Sequence, residues 1–216
     1  NLLAGQADYV AAPRFVATLA AVDDAAVRLS RQQLLDDLRT RLSAVPHTHR
    51  TPAYPGSPED VPDTLEANAG QLSRADLLQL RLLLDNLPTL LPAFYQQGLD
   101  DLADETTEHG GLLAFAGSPP TLMPTLYPPT FTDGNFTYLT PAALIRDTCL
   151  GIAQYHFHFQ QIHNAERAGP GQGDLAYIRS AACNAVVITS TDTRQINIDF
   201  YTPAGALVDL GTYTLK

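Results

Sequence analysis

Cysteine is almost missing from this 216-residue chain, with only Cys149 and Cys183 present. They can form one disulfide at most, which excludes a disulfide scaffold and a Cys-ligated zinc site and leaves the compartment undecided. Lysine is scarcer still. Lys216 is the single example among 13 basic residues, set against 23 acidic ones. The formal net charge of −10 and a pI near 4.8 repel nucleic-acid backbones and anionic membranes, and no basic run offers a local exception, so neither is expected as the main partner. Long apolar runs are missing as well: none approaches the roughly 20 residues that span a bilayer, and no basic-then-apolar leader opens the chain. A soluble protein is expected, with the cytoplasm as default location, while a start at Asn1 leaves processing and export open.

What is present suffices for a real core, at 45% hydrophobic residues. The first third reads as helical. Ser30 with Gln33 three residues on makes a capping-box pattern, and Leu34, Leu35, Leu38 and Leu42 then fall on one face. Five prolines between Pro46 and Pro62 remove backbone donors and mark a linker or long loop. A second helix start is predicted at Ser73 with Asp76, and a further helix from Leu90 to about Asp104. After Thr107 the period changes. GLLAFAG reads as a short apolar strand, the prolines of SPPTLMPTLYPP break regular structure after it, and FTYLTPAALIRDTCLG reads as a strand end entering a helix. IAQYHFHF is predicted as a buried strand, GDLAYIRSAAC as a helix, and NAVVITS, QINIDFYT and ALVDLGTYTL as strands. The expected organisation is a helical region over 1–45, a Pro-rich linker over 46–62 and a mixed α/β domain with leading helices over 63–216.

The chemistry concentrates in that last part. His156 and His158 are two apart on a predicted strand, so both imidazoles project to one side and can meet one ion. Two histidines packed or hydrogen-bonded in place explain such a pair equally well. Asp174 sits in AGPGQGDLAYI, where a proline and three glycines make a turn and a helix begins. It either caps that helix or returns a hard oxygen donor to the strand end, giving a His/His/carboxylate set with a fourth position open to water. Glu108 stands immediately before the strand of HGGLLAF. It is either an ordinary surface glutamate or the base that takes a proton from metal-activated water and returns it to a leaving amine.

Taken together, EHGGLLAF, YHFHF and PGQGD resemble the JAB/MPN+ (JAMM) metalloprotease family over residues 90 to 216. That family has a Glu ahead of an apolar strand with paired leucines, as with Glu108, Leu112 and Leu113 here. An HxHP strand end comes next in the family, and then an SxxD turn opening a helix. The resemblance implies a JAB/MPN-like mixed β-sheet flanked by helices, with zinc held by His156, His158 and Asp174 and Glu108 as general acid/base. The implied reaction is hydrolysis of a peptide or isopeptide bond, with a peptide or ubiquitin-like protein as substrate.

Two positions depart from the family pattern: Phe159 replaces the usual Pro after the second His, and Gly171 replaces the serine that helps stabilise the oxyanion. The backbone N–H of Gly171 is the remaining donor there. The interval from His158 to Asp174 is also long, and it holds His163, Asn164 and Glu166 as candidate substrate contacts or loop filler. His47 and His49 repeat the HxH spacing but lie in the Pro-rich segment with no strand and no evident third ligand, so ligation is not expected there. His109 neighbours Glu108 but points to the opposite face. A catalytically silent MPN-like module that keeps its metal and binds a partner is the alternative implied by Gly171. The helical N-terminal region could equally be a partner-binding or inhibitory segment.

Overall fold

In the computed structural model, which describes residues 24–50, 60–117, 121–129, 132, 134 and 137–215, both predicted capping boxes open helices. A short helix α1 (Asp24–Arg28) precedes α2 (Arg31–Leu42), where Ser30 Oγ accepts from Gln33 N–H and the Gln33 side chain accepts from Ser30 N–H. Ser73 and Asp76 repeat the exchange at the start of α4, after the one-turn α3 (Leu65–Asn68). Each pair satisfies two of the four amide donors that a helix start leaves without partners.

Helix α4 runs unbroken over Arg74–Leu102, which corrects the expectation of two helices. Pro88 and Pro92 lie inside it, each at a typical cost of about 3 kcal/mol. Against that, Leu77, Leu78, Leu80, Leu83, Leu87, Leu90 and Phe94 are all buried along its length, at about 1.5–3 kcal/mol each. Burial wins, and the helix persists.

Among the described residues, six strands complete the fold: β1 (Gly110–Ala116), β2 (Thr121–Leu126), β3 (Gly151–His158), β4 (Ala185–Asp192), β5 (Gln195–Tyr201) and β6 (Leu207–Thr214). They form one mixed sheet in the order β2-β1-β3-β4-β5-β6, in which only β3 and β4 run parallel. Two short helices interrupt the series, α5 (Ala142–Asp147) and α6 (Gln172–Ala181), the latter carrying the chain from β3 to β4. Strand β2 corrects a second expectation, since TLMPTL is paired and not broken. It is an edge strand, where Pro124 needs no amide partner. Residues 137–140, expected to finish a strand, are irregular.

Alternation along the strands sorts side chains into two layers. Tyr155 and Phe157 of β3, Val186 and Ile188 of β4, Ile198 and Phe200 of β5 and Val208 of β6 face α4. Leu34, Leu35, Leu38 and Leu42 of α2 join the same core behind it. On the opposite face, Ala185, Val187, Tyr201 and Leu207 pack with Ile178 of α6. The protein is thus mixed α/β, with a six-stranded mixed sheet and an N-terminal helical region. The helices expected over 1–23 and the centre of the Pro-rich segment, 51–59, lie outside the described residues. Among the described residues no helix is long and apolar enough to cross a membrane.

Candidate metal centre

Strand β3 is buried from end to end, and its alternation puts His156 and His158 on the α6 side of the sheet. Their Nε2 atoms are 3.3 Å apart. His158 Nδ1 lies 2.9 Å from the carbonyl oxygen of Arg167. A carbonyl only accepts, so Nδ1 carries a proton and Nε2 is the nitrogen turned into the site. A metal-binding histidine is commonly oriented this way.

Asp174 arrives from the first turn of α6. Its Oδ1 is 3.4 Å from His156 Nε2, and its Oδ2 is 3.7 Å from His158 Nε2. The same Oδ2 accepts the Gly171 N–H at 2.7 Å. The two roles open to this residue from sequence, cap and ligand, are therefore compatible in one side chain. Gly171 is the N-cap of α6, and its N–H is committed to Asp174, so the donor expected to be free there is taken.

Glu108 reaches the site through sheet register. Gly110 pairs with His156 across β1 and β3, and Phe157 N–H donates to His109 O at 3.1 Å, so continuing the pairing backward sets Glu108 beside His158. It is 4% exposed, and it groups with both histidines so that one ligand atom from each lies within 4.8 Å of the others. Its Oε1 accepts from the Gln160 side chain. The four predicted residues are thus brought together, and three of them, Glu108, His156 and His158, form a group that could hold a metal ion. His109 is turned away as expected, with its ring 3.2 Å from Asp104 Oδ2 and its amide bonded to Asp101.

Burial and charge work against each other here. Burial pulls the His156 imidazolium down, but the Asp174, Glu108 and Asp101 carboxylates outweigh it and lift the group from 6.5 to about 9. Burial alone would raise Asp174, yet the two histidines hold it well below the usual carboxylate range. Glu108 is raised by burial and by Asp174, with the histidines and Gln160 offsetting part of the effect. Asp101, beneath the site, is pushed from 3.8 to about 8 by burial and by Glu108.

A cleft of about 420 Å³ opens beside the cluster, lined among others by Glu108, Thr137, Tyr138, His156, Asp174 and Tyr177. Several residues that hold the centre carry no sequence signal. Asn164 donates to His158 O at 3.1 Å and to Gln160 Oε1 at 2.8 Å, so it fastens the loop after β3 and orients the glutamine that bonds Glu108. Of the other loop candidates, His163 is exposed and sits 3.3 Å from Asp192, and Glu166 accepts from Gln161.

The second HxH pair has neighbouring carboxylates that its sequence context did not show. Asp63 and Asp209 lie beside His47 and His49, and His49, Asp63 and Asp209 form a second group whose ligand atoms all lie within 4.8 Å of one another. Comparison with family models, curated proteins and solved structures finds no match for the chain.

Proposed function

We propose that this chain is a zinc-dependent metallopeptidase or isopeptidase of the JAB/MPN+ (JAMM) type, acting on a peptide or a ubiquitin-like protein. The observation that carries the reading is the convergence of His156, His158 and Asp174 at 3.3–3.7 Å beside a buried Glu108 at the wall of a cleft. Ligand atoms about 3.3 Å apart are the edge of a tetrahedron with bonds of about 2.0–2.1 Å, so two imidazoles and one carboxylate suit zinc with little rearrangement. The donor set fits the ion, and His156, His158 and Asp174 would hold it. Bound there, zinc would polarise a scissile carbonyl and acidify water.

The chain's own residues supply the proton traffic. Glu108 lies beside the ligands, and its burial-raised affinity for a proton suits a group that takes one from water and returns it to a leaving amine. Gln160, bonded to Oε1, fixes which oxygen stays free for that exchange. Asn164 fixes Gln160 in turn.

A specific observation favours a second reading, a metal-containing module without turnover. Gly171 has no side chain, and its N–H is bonded to Asp174, so neither group donates to an oxyanion. Removing one such donor typically costs about 10²–10³ in rate.

Metal analysis of the purified protein beside Glu108→Gln and His156→Ala, with a panel of peptide and ubiquitin-like fusion substrates, tests both readings. The peptidase reading expects zinc in wild type and Glu108→Gln, and cleavage in wild type alone. Zinc bound with no cleavage anywhere on the panel selects the silent module. If zinc is supplied and His156→Ala binds as much as wild type, both readings fail.

A further inference from the structure

Beyond this reading, the sheet carries a second chemistry-bearing cluster. The register aligns His156 with Val187, Val187 with Asp199, and Asp199 with Asp209, so one row of side chains crosses β3, β4, β5 and β6 on the α6 face. Three strand spacings of about 4.8 Å separate its ends by roughly 14 Å. At the far end, two aspartates stand directly opposite each other, Asp199 at 1% and Asp209 at 3% exposure. Two charges in that relation would repel, and burial raises the proton affinity of both carboxyls, Asp199 well above its ordinary value. A bulge brings them together: the register shifts after Ile198, and Gly211 takes φ 108°, a conformation that disfavours any other residue.

The flanks of the Pro-rich segment close over this point. Thr212 N–H donates to Pro46 O at 2.7 Å, and Asp209 N–H donates to Asp63 O at 2.8 Å. This brings His49 Nδ1 to 2.8 Å from Asp63 Oδ2 and 3.9 Å from Asp209 Oδ2. His47 Nδ1 lies 2.9 Å from the same Asp209 oxygen. The other His47 nitrogen is 2.9 Å from Leu42 O, which only accepts, so Nε2 carries a proton. With Nε2 committed to Leu42 O, it is Nδ1 that faces the Asp209 carboxyl oxygen. That contact is met by a cation shared between the two groups, by a second proton on the ring, or by a proton on the Asp209 carboxyl, which burial raises above its usual value.

We propose that His47, His49, Asp63 and Asp209 form a second site, for a divalent transition-metal ion of the zinc class. His49, Asp63 and Asp209 already group within 4.8 Å, and His47, which stands outside that group but 2.9 Å from Asp209 Oδ2, would be the fourth donor. Two imidazoles and two carboxylates match the N/O ligation of zinc, whereas magnesium and calcium prefer oxygen alone. An adjoining cavity of about 190 Å³, lined by these four residues with Arg39 and Glu66 among others, gives access. The ion would neutralise Asp209 opposite Asp199 and tie both flanks of residues 51–59 to the sheet edge.

Zinc and cobalt titrations of the metal-stripped full chain, read by bound equivalents and by cobalt absorption, test the proposal. Wild type is expected to bind two equivalents, His49→Ala/Asp63→Asn one, and His156→Ala/His158→Ala one. The last variant keeps the second cluster intact, so its remaining equivalent does not depend on whether the first variant folds. The site is overturned if His156→Ala/His158→Ala binds no metal. It is equally overturned if folded His49→Ala/Asp63→Asn binds as much as wild type, in which case a protonated histidine–aspartate pair accounts for the cluster. If wild type binds a single ion, and that ion is lost only on changing His49 and Asp63, the cluster at His156 fails and this site stands alone.

Discussion

Alanine in place of Gly98 is expected to destabilise the protein, although Gly98 lies inside a helix. In an open helix interior the substitution stabilises by about 1 kcal/mol, because glycine loses more backbone freedom on folding. Here an added Cβ would lie 2.5 Å from Cε1 and Cζ of Phe159. The ring has little room to retreat, being 1% exposed and packed edge-on against Phe157 at 5.7 Å and Tyr95 at 6.5 Å between centroids. Overpacking of this kind costs about 1–3 kcal/mol, so the net change is a loss of up to about 2 kcal/mol. Phe159 directly follows His158, so the displaced ring also weakens metal uptake. Urea unfolding reads the first effect as a lowered midpoint at constant slope, and metal titration reads the second. Gly98→Ala/Phe159→Leu removes the clash, and the helix gain should then reappear as a coupling of at least about 1 kcal/mol. A raised midpoint for Gly98→Ala in the wild-type background would refute the reasoning, since the ring would not then be seated on the helix.

Gly171→Ser should fold normally, because φ −76° suits serine and the added Cβ meets only Asp174 Oδ2 at 3.4 Å. Stability should move by a few tenths of a kcal/mol, as is usual between glycine and serine at an N-cap. Turnover on any cleaved substrate should rise about 10²–10³-fold, and unchanged turnover in a metal-loaded variant would remove the oxyanion role from this position. Metal uptake at the His156 centre should weaken as pH falls below about 9, because the ion must displace the proton that the carboxylates hold on His156. One displaced proton makes this about tenfold per pH unit. Calorimetry in buffers of different ionisation enthalpy measures the released proton, and a flat affinity between about pH 6 and 8 would contradict it. Asp101→Asn keeps an acceptor for the His109 amide while removing a carboxyl that burial raises from 3.8 to about 8. Wild type's advantage from this group is complete below pH 3.8 and lost as pH rises through about 8, so the variant should gain stability over wild type progressively across that window. Parallel urea titrations at the two ends of the window check the sign.

Much of the fold was legible because local rules and tertiary packing agree. The boxes at Ser30 and Ser73 open helices where side-chain oxygens meet free amides, and β3 is buried on both faces as its apolar run implies. Pro88, Pro92 and Pro124 misled for one shared reason. Proline's effect depends on what surrounds the missing N–H, and neither a deeply buried leucine stripe nor an edge position can be seen in a local window. At the centre, the faces of His156 and His158 followed from period two. Glu108 was readable as a residue ahead of a strand, but its approach to His158 depends on the register of β1 against β3, a non-local property. Gln160 and Asn164 act through hydrogen bonds that have no sequence pattern. His47 and His49 were set aside for want of a third ligand. Asp63 and Asp209 reach them only when both flanks of the Pro-rich segment lie on β6, and no spacing rule reports that.

The parallel join between β3 and β4 also governs when the centre can exist. Its histidines stand on one side of the crossover and Asp174 within it, so an ion finds no complete cage until α6 has docked and the two strands have paired. Such long-range closure comes late in folding, because chain entropy is spent before the contacts form. A bound ion would therefore do little to hasten folding. It would act on the return journey, since α6 cannot leave β3 without surrendering a ligand. The lifetime of the folded chain, more than its rate of formation, is what metal occupancy would set.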